Sequence, residues 1–136
     1  MACLISRGDT FVLTGGKDGR DGSITSRVSL YSSAGWVRDL ASLNTARALH
    51  GCASYTDSYG LEVRMVVTIT MFTLDTQVLL VAGGMITGDT KTATTEILRT
   101  IDGRWTMARN LPHTVYSLSG ATLDNTVFMT GECRSL

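Results

Sequence analysis

Hydrophobic and polar positions alternate along this chain in short runs. Residues 11–14 (FVLT) lead into Gly15 and Gly16, and residues 78–82 (VLLVA) lead into Gly83 and Gly84. An apolar run of four or five residues is too short for a helix and suits a buried strand. A glycine pair at its end lets the backbone turn sharply, or lie against another backbone where no Cβ fits. After each pair comes a polar loop, then a second short segment, VSLY at 28–31 or TEIL at 95–98. These have the β-branched and aromatic content of strands. A turn follows, Ser33-Ala34-Gly35 or Asp102-Gly103, and then a tryptophan, Trp36 or Trp105, opens a third segment. The spacings from Gly16 to Trp36 and from Gly84 to Trp105 differ by a single residue. The chain is built on an internal repeat, and an indole at a fixed place in each copy suits a slot between stacked sheets.

The remaining pattern adds hairpins. Residues 3–5 and 10–14 read as two strands joined at Arg7-Gly8-Asp9, a turn by its Gly-Asp chemistry rather than an integrin-recognition tripeptide. Residues 50–55 read as a first strand and 63–68 as a second, with a turn at 57–60. Where a glycine pair should follow residue 68, Ile69 and Thr70 stand instead. Thr73-Leu74-Asp75 then begins another hairpin, matching Thr122-Leu123-Asp124. Two second-strand segments thus succeed each other with no tryptophan between them. The simplest account is a missing stretch of about one repeat, roughly 50 residues, at 68–71. It predicts that 50–55 pairs with 63–68 as a two-stranded remnant. The alternative is a long insertion in a single unit. Residues 118–131 give strand, turn and strand, ending at Gly131. Glu132 then takes the second glycine's place, and residues 133–136 have no strand character.

These residues resemble the Kelch repeat, in which a glycine pair ends the second strand, an aromatic or aliphatic residue stands in the third, and a tryptophan begins the fourth. Gly15, Gly16, Tyr31 and Trp36 carry the motif in one copy, Gly83, Gly84 and Trp105 in another, and Gly131 in a third. The resemblance implies an all-β fold: a partial Kelch-type β-propeller of antiparallel four-stranded blades whose ring is not closed. The units divide as 1–48, a first repeat; 49–76, irregular or spliced; 77–115, a second complete motif; and 116–136, the start of a further one. Propellers close with about 4–8 blades, so an open array leaves apolar faces and strand edges uncovered.

Bulk properties narrow the function. Lys+Arg and Asp+Glu are 12 each, and the formal net charge is zero. No electrostatic case exists for nucleic acid or an anionic membrane surface. Residues 1–6 are too short for a signal-peptide core, and the apolar stretch 65–74 falls short of the ~20 residues a membrane span needs. Cys3, Cys52 and Cys133 are odd in number and far apart, which favours free thiols in a reducing, cytoplasmic setting. No Cys or His pair has zinc spacing, and no nucleophile elbow occurs. The Lys17-containing GGK lacks phosphate-loop spacing. The expectation is no enzyme and no cofactor.

A binding surface remains. In kelch-like proteins ligand peptides sit on loops after the second and fourth strands, which here means residues 17–23, 85–92, 46–50 and 113–118. Lys17, Arg20, Arg47, His50 and Tyr116 are the candidate partner-binding residues, since an exposed Arg or Tyr can anchor an acidic or apolar peptide. The expected partner is a protein or peptide, with ubiquitin-ligase components implied by the resemblance. The alternatives are a truncated fragment without function of its own and, further off, a carbohydrate-active or oxidase propeller.

Overall fold

In a computed structural model, residues 1–57, 69–70, 76–88, 90–99, 101 and 103–132 are described. Among these there is no helix. Strands β1 (Cys3–Arg7), β2 (Thr10–Thr14), β3 (Val28–Ser32) and β4 (Gly35–Asp39) form one antiparallel meander in chain order. Gly8 turns the first hairpin at φ +56°, and the Thr10 hydroxyl donates to the Arg7 carbonyl across it at 2.8 Å. A second four-stranded sheet has the order β5 (Gly51–Asp57), β7 (Thr76–Ala82), β8 (Thr95–Leu98), β9 (Thr106–Ala108). The third sheet runs β10 (Tyr116–Leu123), β11 (Thr126–Glu132), β6 (Ile69–Thr70). Asp124 and Asn125 turn its hairpin with φ of 48° and 58°, the left-handed geometry that two-residue hairpins require and that Asp and Asn tolerate.

One pairing is unexpected. β5 pairs along its whole length with β7, from Gly51 with Ala82 to Asp57 with Thr76. The second sheet therefore draws on both 49–76 and 77–115. β7 offers seven ladder positions matching all seven of β5. Ile69 and Thr70 leave that sheet and pair with Val127 and Thr126 of β11. Residues 63–68, the hairpin at 73–75, Asp102 and the tail at 133–136 lie outside the described residues.

Two apolar seams join the sheets. Ile5, Val12, Val28 and Leu30 of the first sheet meet Leu79, Val81 and Leu98 of the second, with Leu40, Leu43 and Trp105 closing the rim. Tyr55, Val78, Leu80 and Ile97 on the second sheet's other face meet Leu111, Val115 and Val127. Successive side chains of one strand face opposite ways: Leu79 belongs to the first seam and Leu80 to the second. The glycine pairs admit backbone, as their sequence implied. A Cβ on Gly15 would strike the Arg47 carbonyl, and one on Gly84 the Ala48 carbonyl and His50.

Two further readings change. Trp105 fills a slot, 3% exposed, with its indole N–H donating to the Ala41 carbonyl at 2.9 Å. Trp36, at the same place in the first unit, is 57% exposed, and no sheet among the described residues forms its other wall. The cysteines also differ from expectation. Cys3 on β1 and Cys52 on β5 are joined in a disulfide across the first seam, with Cα atoms 6.1 Å apart. Strand packing brings them together despite a sequence separation of 49. The ground for a reducing compartment, three unpaired thiols, is removed, since disulfides persist in oxidising compartments.

Candidate functional site

The loops at the glycine-pair end of the sheets build one cleft. In the β2–β3 loop, Asp18 Oδ1 accepts from the Arg20 amide at 2.7 Å and Asp21 Oδ1 from the Ser23 amide at 2.8 Å. The bonds from Ser23 hold the Asp21 carboxyl below its ordinary pKa. A Lys17–Ile24 bridge closes the loop's base. Lys17 and Arg20 are exposed, as are both aspartates. In the β7–β8 loop, Met85 bridges to Ala48 on one side and Lys91 on the other. The Ile86 amide donates to the Thr90 carbonyl at 2.9 Å. Between these loops lies a cleft of about 400 Å³ lined by Lys17, Ser23, Ile24, Ala46, Ile86 and Thr87. Its lining is mainly apolar, and Lys17 is the one charged residue among the described residues that line it.

Beneath the cleft is a buried polar joint. Arg47 and Glu96 side chains are both fully buried and meet at 2.7 Å. The Arg47 guanidinium also donates to the carbonyls of Gly83 and Thr94, at 3.0 and 2.9 Å, and to the Thr94 hydroxyl at 3.0 Å. Glu96 accepts from the amides of Asn44 and Thr45, at 2.7 and 3.1 Å, and from the Asn44 side chain at 3.0 Å. Burial pulls the Arg47 pKa below its ordinary value while Glu96 works against that shift. A buried pair is tolerated when its remaining donors and acceptors are satisfied, and here the partners are loop backbone. The joint ties the β4–β5 loop of one unit to the third strand of the next.

His50 lies beside this joint. Its Nε2 is 2.8 Å from the Thr14 hydroxyl, and its Nδ1 is buried without a partner. Burial, reinforced by the nearby Arg47 charge and the N-terminus, lowers its pKa to about 3. The ring is neutral at ordinary pH.

The predicted partner-binding residues therefore separate. Lys17 lines the cleft, and Arg20 is exposed on the same loop. Arg47 and His50 are interior, supporting loops rather than meeting solvent. Tyr116 sits elsewhere, half-buried, with Lys91 Nζ 4.4 Å over its ring and its hydroxyl donating to Glu132 at 3.0 Å. Sequence reasoning missed Ile24, Ile86 and Glu96. A lone carboxylate within the third strand TEIL, where the first copy has Ser29, was the available signal for Glu96. Among the described residues no group of three His, Cys, Asp or Glu could hold a metal ion.

No protein-family profile matches the chain, and no curated protein matches it significantly. Among solved structures, that of YjhT is similar, with a TM-score of 0.61 at 14% identity. The likeness covers 97% of this chain and 45% of that one, so this chain spans less than half of YjhT.

Proposed function

We infer that the chain is a part of a Kelch-type β-propeller serving as a protein-interaction module, with the cleft at Lys17 and Ile86 as its peptide-binding site. The observation that carries this reading is the convergence of three loops from two repeats on one cleft. Those are the loops on which the Kelch resemblance places ligands, and a rigid buried joint holds them. A mainly apolar lining that includes Lys17 fits a short segment with an aliphatic or aromatic anchor beside a carboxylate. The kelch-like resemblance extends the candidate partners to ubiquitin-ligase components.

A random peptide library displayed on phage and panned against the full chain tests this reading. Selected peptides should pair an apolar residue with an acidic one. Ile86→Asp and Lys17→Glu should each weaken them about tenfold or more, a loss of ~1.4 kcal/mol, while Met107→Lys, an exposed position remote from the cleft residues, should not. Peptides that bind all three variants equally would remove the cleft from consideration. A second reading, a piece needing further repeats before it can function, draws on the exposed aromatic face at Trp36.

A further inference from the structure

The outer face of the first sheet carries an aromatic row. Phe11, Tyr31 and Trp36 stand side by side on β2, β3 and β4, set there by the registers Phe11 with Tyr31 and Tyr31 with Trp36. Phe11 is 38% exposed and Trp36 57%. In the second sheet the same places hold Leu79, Leu98 and Trp105, all buried against Val12, Val28 and Leu30 of the first. The row is thus half of a seam, and its complement in this chain is the opposite face of a neighbouring sheet of the same kind.

The third sheet leaves that complementary face open. The strands TFVLT at 10–14 and TVFMT at 126–130 align so that Phe128 stands where Val12 does. Phe128 pairs with Ala121 as Val12 pairs with Ile5. Its neighbour Val127 is buried against the second sheet, so Phe128 points away from it, and is 37% exposed.

We propose that the Phe128 face of one copy docks on the Phe11–Tyr31–Trp36 row of a second copy, and the second copy's Phe128 face on the first copy's row, so that two chains close one ring of six sheets. This rests on the ring architecture inferred above and not on its peptide ligand. Two considerations favour a second copy in this orientation. Both seams inside the chain join a Val12-type face to a Leu79-type face, and this contact keeps that polarity. A contact between unlike faces propagates until a ring closes or a fibre forms, and six sheets lie within the 4–8 at which propellers close. A row-to-row dimer would leave both Phe128 faces uncovered.

The test uses the full chain in sedimentation velocity or light scattering after gel filtration. The wild type should be a dimer, dissociating on dilution with a red shift of Trp36 emission. Trp36→Lys and Phe128→Lys should each be monomeric, and an equimolar mixture should regain a dimer through the single seam whose two faces are both intact. Met107→Lys should stay dimeric. The blue-shifted emission of Trp105 in the Trp36→Lys chain reports that the fold survives, and Phe11→Lys is the second variant on that face if it does not. A wild-type monomer with buried Trp105 overturns the proposal and leaves the peptide reading standing. Loss of the dimer in Trp36→Lys but not in Phe128→Lys indicates row-to-row packing and overturns it, as does open-ended growth of the wild type.

Discussion

The two seams between sheets do the same job by different means. The seam between the first and second sheets holds a buried ion pair, a disulfide, a buried histidine and a tryptophan with a bonded indole nitrogen. The seam between the second and third is mainly aliphatic. Among the described residues its side-chain polar ties include Asn125, which exchanges two hydrogen bonds with the Thr56 backbone, at 2.6 and 2.9 Å, and the Thr122 hydroxyl, which donates to the Ser54 carbonyl at 2.6 Å. The difference follows from which residues fill equivalent places. The position of Arg47 is occupied in the next copy by Tyr116, whose hydroxyl goes to Glu132 on its own sheet. An aliphatic seam tolerates truncation by partial collapse, whereas a charged one fails when either partner is removed. The first seam should therefore be brittle and the second compliant.

The sharpest way to break this contrast is Arg47→Ala. It strands the Glu96 carboxylate in the interior and should cost about 3–5 kcal/mol, measured by denaturant titration. Replacing Arg47 and Glu96 together, by Met and Leu, should recover much of that loss. A single-variant cost below about 1 kcal/mol, the range of exposed pairs, would show the joint to be hydrated and the seams alike. Trp105→Ala should also cost about 3–5 kcal/mol, while Trp36→Ala in the monomer should stay within about 0.5 kcal/mol, as exposed substitutions do. Equal costs would mean that exposure does not separate the two repeats.

Much of the fold was legible because the repeat marks its strands with chemistry that acts locally. Glycine pairs end β2 and β7, and tryptophans stand at the start of the fourth strands, since these residues answer to their own turn or slot. What stayed hidden depends on contacts between units. β5 skips the 58–75 segment to reach β7, although residues 63–68 look like a strand, because neighbours in sequence are only usually neighbours in a sheet. Arg47 read as an exposed loop cation, and only the next unit's Glu96 makes it interior. Cys3 and Cys52 have no local signal for pairing. The cleft was half legible: its loops were named from the repeat, but Ile24 and Ile86, which give it a mainly apolar lining, look like ordinary loop residues.

The disulfide offers a smaller perturbation of the same seam. Replacing Cys3 and Cys52 by serine should cost about 2–4 kcal/mol, chiefly by releasing the unfolded chain, with the transition read by circular dichroism. Thiol titration of the native, unreduced protein should find at most one reactive thiol, since Cys3 and Cys52 are joined. Three reactive thiols would mean that the staple is absent and the first seam depends on the Arg47–Glu96 joint.

Acidification probes His50. Its folded pKa, about 3, lies below its ordinary value of 6.5, so the neutral ring is the form the fold prefers. The unfolded chain binds the proton first. The resulting stability is present above pH 6.5 and is lost as pH falls from there toward 3, with a slope of up to ~1.4 kcal/mol per pH unit. Between pH 6.5 and 5, before carboxylates titrate, the wild type should lose stability faster than His50→Gln. Parallel curves for the two would show that the ring is reached by solvent and contributes no pH dependence to the seam.

The smallest expected effect lies in the compliant seam. Tyr55 packs among Val78, Leu80 and Val127, and its hydroxyl is buried without a hydrogen-bond partner. Burial raises its pKa to about 12, as expected for a phenol whose anion would be poorly solvated there. An unpaired buried hydroxyl loses its bond to water on folding and gains none in return. Removing it as Tyr55→Phe keeps the ring and its contacts, so stability should be unchanged or higher by up to about 1 kcal/mol. The Arg47→Ala and Trp105→Ala predictions for the first seam run the other way, toward loss, because those polar groups are paired. A measurable destabilisation by Tyr55→Phe would mean that the hydroxyl holds a bridging water in the adjoining cleft lined by Ser54, Gln77, Thr122 and Asn125. The second seam would then owe more to polar contacts than its side chains show, and the division between a brittle joint and a compliant one would rest on the ion pair alone.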